Sequence, residues 1–272
     1  MRLLFLGTAA AEAYPAAFCD CDNCERARRN RGRDLRHRSS LLVDDDLLID
    51  LGPDVVSAAL AHGLRLHRLR TVLITHAHAD HFDPDVLRWR KPGFRARAPA
   101  PLTIYGPPPV LHTIEALEDL DQLDVTAQAV GPDEAFAVHA AQVWTFAARH
   151  GSEAPLLYAV ERGGNKFLYA CDTGASAEEV WSALADHRFD AIIMEETMGL
   201  SRSQLHTNIE EIAAHRARAL KEGILAPAGR FIATHFSHGA NPGYDELLAL
   251  LGAQSVEVAY DGMEVMLDEG HG

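Results

Sequence analysis

Four cysteines are too few for a disulfide framework in a chain of 272 residues, and three of them, Cys19, Cys21 and Cys24, fall within six positions. That bunching suits a metal site in a reducing compartment, so a cytoplasmic protein is expected. Long apolar runs are missing too, and no stretch approaches the length that spans a bilayer. Residues 1–11 read as a first strand and a Gly7-Thr8 turn, not as a secretion signal. Positive charge is scarce: 25 Lys and Arg stand against 39 Asp and Glu, a net charge of −14. This balance gives no general attraction to nucleic acid or to an anionic membrane. There is no GxSxG elbow and no Gly-rich Walker loop, and Gly7-Thr8-Ala9 is too short for a nucleotide signature. A serine nucleophile and a phosphate-cradling loop are thereby set aside.

What the chain does have is apolar strand material, within 47% hydrophobic residues overall. Strands are expected at 3–6, 40–43, 47–50, 69–75, 102–105, 136–140, 142–147, 156–161, 166–170, 191–195, 232–234, 256–259 and 264–267. Helices are expected at 24–31, 54–63, 110–120, 177–185 and 209–222, with shorter ones opening at Asp83-Pro84 and within 242–251. Two β-rich halves with helices between and after the strands predict sandwiched sheets covered by helices. No linker divides residues 1–272, so a single domain is expected, with a cysteine-rich loop at about 19–24.

The densest chemistry comes directly after the apolar stretch 69–75, in Thr75-His76-Ala77-His78-Ala79-Asp80-His81. His76 and His78, alternating in a tight loop, can converge on one metal, while Asp80 and His81 can point toward a second. Imidazole and carboxylate suit Zn²⁺ or Mn²⁺. Accidental clustering among 15 histidines is the competing reading, and the aspartate and the strand context argue against it. Two more apolar strands end in candidate ligands, Asp172 after 167–169 and His235 after 231–234, and strand ends hold ligands rigidly. Asp172 could instead cap a helix, and His150, before Gly151, could be an ordinary loop residue. Cys19-Asp20-Cys21-Asp22-Asn23-Cys24 offers three thiolates of a tetrahedral site. For the fourth ligand, Cys171 lies beside Asp172 on a core strand, and His238, three residues beyond His235, is better placed.

Together the HxHxDH loop, His150, Tyr169-Ala170-Cys171-Asp172-Thr173-Gly174 and Thr234-His235-Phe236-Ser237-His238 resemble the metallo-β-lactamase-fold hydrolases through almost the whole chain. The resemblance implies an α/β fold, a four-layer αββα sandwich. It places one catalytic divalent metal (zinc or manganese) on His76, His78 and His150 and another on Asp80, His81 and His235, with Asp172 bridging. The cysteine cluster is similar to that of the PhnP-like phosphoribosyl cyclic phosphate phosphodiesterases of phosphonate breakdown. That likeness implies a structural zinc on Cys19, Cys21, Cys24 and His238. It also implies a non-ligand histidine, here His206, as general acid or phosphate binder. On chemical grounds Asp80, besides serving as a ligand, can orient the attacking hydroxide. Thr207 or Asn208 can cap the following helix.

The implied reaction opens 5-phospho-α-D-ribose 1,2-cyclic phosphate to ribose 1,5-bisphosphate, a small anionic phosphodiester hydrolysed by a homodimer. Related cyclic-nucleotide phosphodiesterases, transfer-RNA-processing enzymes and PqqB cofactor-biosynthesis proteins share much of the metal core. A nucleotide or RNA phosphodiesterase and a PqqB-like protein are therefore the alternatives, although no long basic arm for transfer RNA is evident. The basic run 26–38 reads as solvated surface or as a guide for phosphate. Trp89 with Arg88, Arg90, Arg95 and Arg97 reads as a loop shaping access to the pocket.

Overall fold

The first half of the chain runs β1 (Arg2–Gly7), α1 (Asp22–Asn30), β2 (Ser40–Val43), β3 (Leu47–Ile49), α2 (Val55–Ala61), β4 (Thr71–Leu73), β5 (Leu102–Gly106), α3 (Pro108–Glu115) and β6 (Val125–Ala129). The second runs β7 (Ala135–Val138), β8 (Ala141–Ala147), β9 (Leu156–Arg162), β10 (Asn165–Ala170), α4 (Glu178–Leu184), β11 (Phe189–Glu195), α5 (Ile209–Lys221), β12 (Leu225–Thr234), α6 (Tyr244–Gly252), β13 (Glu257–Val258) and β14 (Glu264–Met266). This computed structural model describes residues 1–174 and 178–267. The expected helix start at Ala177 and the polar tail after Leu267 lie outside the described residues.

One mixed sheet has the strand order β14-β1-β2-β3-β4-β5-β6, the other β13-β12-β11-β10-β9-β8-β7. Side-chain alternation builds the layers. Leu3 and Phe5 of β1 enter the core between the sheets, whereas Leu4 and Leu6 enter an outer core. On β10, Phe167 and Tyr169 face the first sheet and Leu168 and Ala170 face helices. Both faces of these strands are covered, so they read as unbroken apolar runs. Val55 and Ala58 of α2 and Val110 and Ile114 of α3 cover the first sheet. Trp181 of α4, Ile212 of α5 and Leu247 of α6 cover the second. The result is the expected αββα sandwich. Among the described residues, no helix is long and apolar enough to cross a membrane.

Three local differences from the sequence reading have physical causes. The strand expected at 69–75 is regular over Thr71–Leu73, and beyond its end the Thr75 N–H leaves the ladder to donate to the Asp50 carboxylate (2.8 Å). The segment after Asp83 is a 3₁₀ helix, Pro84–Arg90, with the Asp83 side chain capping the Asp85 N–H. Strand β6 was not foreseen: its Thr126 and Gln128 are exposed at the sheet edge, and the alternation is too polar to stand out.

Candidate metal centre

Both sheets deliver candidate ligands to the same end of the sandwich. Strand β4 leads into His76, His78, Asp80 and His81. The second sheet supplies His150 after β8, Asp172 after β10 and His235 after β12. The layers are tied there by main chain, with the Leu156 N–H donating to the Thr75 carbonyl (2.9 Å). The Tyr158 hydroxyl donates to the Ile74 carbonyl at the same distance.

His76, His78, His150 and Asp172 form one donor group. His78 Nδ1 lies 3.0 Å from His76 Nε2 and 3.3 Å from His150 Nε2. Asp172 Oδ2 is 3.5 Å from each of those two Nε2 atoms. A tetrahedron with metal–ligand bonds of about 2.0–2.1 Å has edges of about 3.3–3.4 Å, so these atoms are spaced as one ligand set. The second group overlaps the first through the same carboxylate. His81 Nε2 is 3.1 Å from both Asp172 Oδ2 and Asp80 Oδ2. His235 Nε2 lies 3.1 Å from Asp172 Oδ1 and 3.8 Å from Asp80 Oδ2. Asp172 thus stands between the two sets. Cys171 Sγ is near the second set, but burial holds its thiol pKa well above the ordinary value.

A direct test of fit comes from unsatisfied atoms. His81 Nε2, His235 Nε2 and Asp172 Oδ1 are buried with no hydrogen-bond partner among the described residues. Leaving such atoms bare costs about 1–3 kcal/mol each, and all three belong to the candidate ligand sets. Their geometry and chemistry fit divalent cations.

Outer groups fix which nitrogen faces inward. Asp50 Oδ2 meets His81 Nδ1 at 2.7 Å, and the Thr75 hydroxyl lies 3.0 Å from His76 Nδ1. The Thr197 hydroxyl lies 2.9 Å from His235 Nδ1 and also donates to Glu195. Burial favours the neutral form of His76, holding its pKa well below the usual histidine range. Burial alone would lower His81 as well, but Asp50 and Asp172 outweigh it and hold that pKa well above. Desolvation would raise Asp172, but the surrounding His235 and His81 keep it well below the carboxylate range.

His206 sits at the rim, its Nδ1 2.9 Å from Glu195 Oε2 and 3.7 Å from Asp172 Oδ1. Burial would lower its pKa, but the hydrogen bond and charge of Glu195 outweigh that and raise it. Glu195 itself is fully buried and accepts from the Thr173 and Gly174 N–H groups (3.0 and 2.9 Å). Asn208 is a helix cap: it and Glu211 form a reciprocal capping box at α5. Asp50 and Glu195 were both missed as site residues in the sequence. Each is an acid at the end of a buried apolar strand, the same signal that marked Asp172.

Cys19, Cys21, Cys24 and His238 also come together. His238 Nδ1 is 3.2 Å from Cys24 Sγ and 3.5 Å from Cys21 Sγ. A tetrahedral zinc with typical bond lengths would set about 3.6 Å between sulfur and nitrogen, so this donor set fits too. A backbone N–H at Cys24, and then His238, lower the Cys21 thiol to about 6, while burial pushes Cys24 up to about 12. The other His238 nitrogen, Nε2, lies 3.7 Å from Glu12.

The basic run 26–38 proves more structural than a solvated surface. Arg36 is buried, donates to the Thr8 hydroxyl and the Ala259 carbonyl, and stacks over Phe236. Arg26 and Arg28 brace the cysteine loop through Tyr14, Asn23 and the Ala16 carbonyl. In the arginine-rich loop, Arg90 donates to the Ala100, Leu123 and Asp124 carbonyls and thereby anchors the loop. The cavities beside this loop are lined by none of the candidate ligands.

The family model for the Beta-lactamase superfamily domain matches residues 46–236. Coenzyme PQQ synthesis protein B of Methylobacterium radiotolerans is 30% identical over 151 residues, 50% of this chain and 48% of that protein. Ribonuclease Z of Mycobacterium marinum is 39% identical over 72 residues, 26% of each protein. The chain thus spans about half or less of the length of these curated relatives. Among solved structures, Zn²⁺-bound PqqB from Methylobacterium extorquens superposes with a TM-score of 0.78 at 21% identity, covering 98% of this chain and 100% of that one. A diphosphatase of the PhnP family gives 0.75 at 23% identity, covering 97% of each chain. At these identities the two superpositions bear on the fold.

Proposed function

Because this chain belongs to the Beta-lactamase superfamily, we propose that it is a metal-dependent hydrolase whose substrate is a small anionic phosphodiester, with 5-phospho-α-D-ribose 1,2-cyclic phosphate the leading candidate. The observation that carries the reading is Asp172, whose carboxylate lies between two sets of imidazole donors and keeps one buried oxygen without a hydrogen-bond partner among the described residues. His76, His78 and His150 with Asp172 would hold one divalent cation; Asp80, His81 and His235 with Asp172 would hold the other. Cations bound there would lower the pKa of water and offset charge on a phosphoryl oxygen. His206, with Nδ1 tied to Glu195, keeps Nε2 to donate a proton to the departing oxygen or to hold a phosphoryl oxygen. Asp80 adds a carboxylate that can orient the attacking water. Cys19, Cys21, Cys24 and His238 would hold a zinc that pins the first loop beside the centre.

A PQQ-synthesis-B-like role is the second reading, favoured by the 30% identity with that protein over half of this chain. The two are separated by phosphorus NMR of metal-replete protein, of known metal content, mixed with the cyclic phosphate. Conversion to the 1,5-bisphosphate supports the phosphodiesterase. No conversion of this ester or of cyclic nucleotides, with the metals present, would move the assignment to the second reading.

A further inference from the structure

A cavity of about 250 Å³ lies on the outer side of the first sheet, away from the metal centre. Its floor is apolar and comes from regular elements: Val72 of β4, Leu102 of β5 and Val56 of α2. Trp89 closes one wall and also borders a larger cleft on its far side. The rim is of one sign. Arg90, Arg95, Arg97 and His67 line it, and among the described residues no carboxylate does. In a chain with a net charge of −14, a cavity whose charged lining residues are arginines is a local reversal.

The arginines differ in what they already hold. Arg90 is bound to backbone carbonyls. The ion pairs of this loop are Arg88 with Asp85 and Lys91 with Asp119. Arg95 gives its Nε to the Arg90 carbonyl (2.5 Å), and neither it nor Arg97 pairs with a carboxylate among the described residues. Two guanidiniums, each with a planar fork matched to a carboxylate, therefore stand at the mouth of an apolar hole.

From this the geometry points to a second ligand site, for a small amphipathic carboxylate. The hydrocarbon body would lie against Val56, Val72 and Leu102, and the carboxylate would lie between Arg95 and Arg97. Size limits the body. The volume exceeds the roughly 150 Å³ that admits benzene to an apolar cavity, and falls just under the roughly 300 Å³ at which pockets for drug-sized ligands begin. One aromatic ring or a chain of about eight carbons is the matching scale.

The test is calorimetric titration of the metal-replete protein with octanoate, and with octylammonium as the same chain carrying the opposite charge. Saturable one-to-one binding of octanoate is expected, at least tenfold tighter than octylammonium. The double substitution Arg95→Glu with Arg97→Glu should weaken octanoate at least tenfold, with metal content unchanged. Val56→Trp, at a half-buried helix position, should abolish binding by filling the hole, with unchanged metal content showing that the variant is folded. Absence of saturable binding, equal affinity for both probes, or indifference to the double substitution would each overturn the site. No outcome depends on turnover at the metal centre, so this inference and the proposed hydrolysis stand or fall separately.

Discussion

The Asp50 carboxylate and the His81 imidazole meet at 2.7 Å, both fully buried, although 31 positions separate them in the chain. Asp50 also accepts from the Thr75 N–H and hydroxyl, so one side chain sets both the start of the ligand loop and the orientation of its last histidine. Its φ of +63° is one that asparagine also tolerates. Asp50→Asn should therefore keep the fold and lower metal affinity by about 10–100-fold. Chelator competition followed by metal analysis reads this directly, and wild-type affinity in the variant would refute the orienting role.

His206 is expected to act on substrate and not on metal retention. His206→Gln should lower kcat by about 10²–10⁴-fold while the catalytic metal content stays at the wild-type level. Glu195→Gln, which weakens the hold on Nδ1, should fall between the two. Loss of metal from His206→Gln would instead make this residue a ligand.

Removal of one thiolate isolates the cysteine site. Cys24→Ser should release one equivalent of zinc per chain and leave the remaining metal bound, as counted by plasma emission spectrometry. Loss of all metal at once would show that the clusters are not separable.

Asn241 connects the two regions without being a candidate ligand. Its side chain donates to the Thr197 carbonyl (2.9 Å), and its own carbonyl accepts from Asn23 (3.0 Å) and Tyr14 (3.2 Å). Asn241→Ala strands buried carbonyls, so a loss of about 1–3 kcal/mol is expected in urea unfolding. A shift below 0.5 kcal/mol would mean that water replaces the amide.

Acid should weaken the fold through His215. Burial, then the charge of Arg218, holds its pKa down at about 4, and its Nε2 has no partner among the described residues. Below about pH 6.5 the unfolded chain takes up a proton that the native chain refuses, so stability falls as pH drops toward 4. Relative to His215→Leu, the wild type should lose on the order of 3 kcal/mol across that window. Parallel urea curves for the two proteins would remove His215 as the cause.

The layered architecture and most of the ligand candidates were legible because each signal is local: a buried apolar strand, then a histidine or an aspartate. HxHxDH is compact enough to be seen without any tertiary knowledge. Asp50 and Glu195 carried the same strand-end signature, yet their partners come from distant segments, and nothing near them in sequence specifies that pairing. Arg36 was hidden for the opposite reason. Six of its neighbours within 26–38 are also arginines, so a core cation looked like one more surface charge until Phe236 and Ala259 were seen around it.

The donor sets draw on both sheets, so ions bound there would become part of the sandwich itself. His76, His78 and His81 belong to one layer; His150, Asp172 and His235 belong to the other. An ion coordinated by both acts as a clasp at the open end of the seam, so its binding free energy adds to the adhesion of the layers. The same histidines that would serve chemistry would then also set how tightly the two halves close, and occupancy of the centre and docking of the sheets would be a single equilibrium.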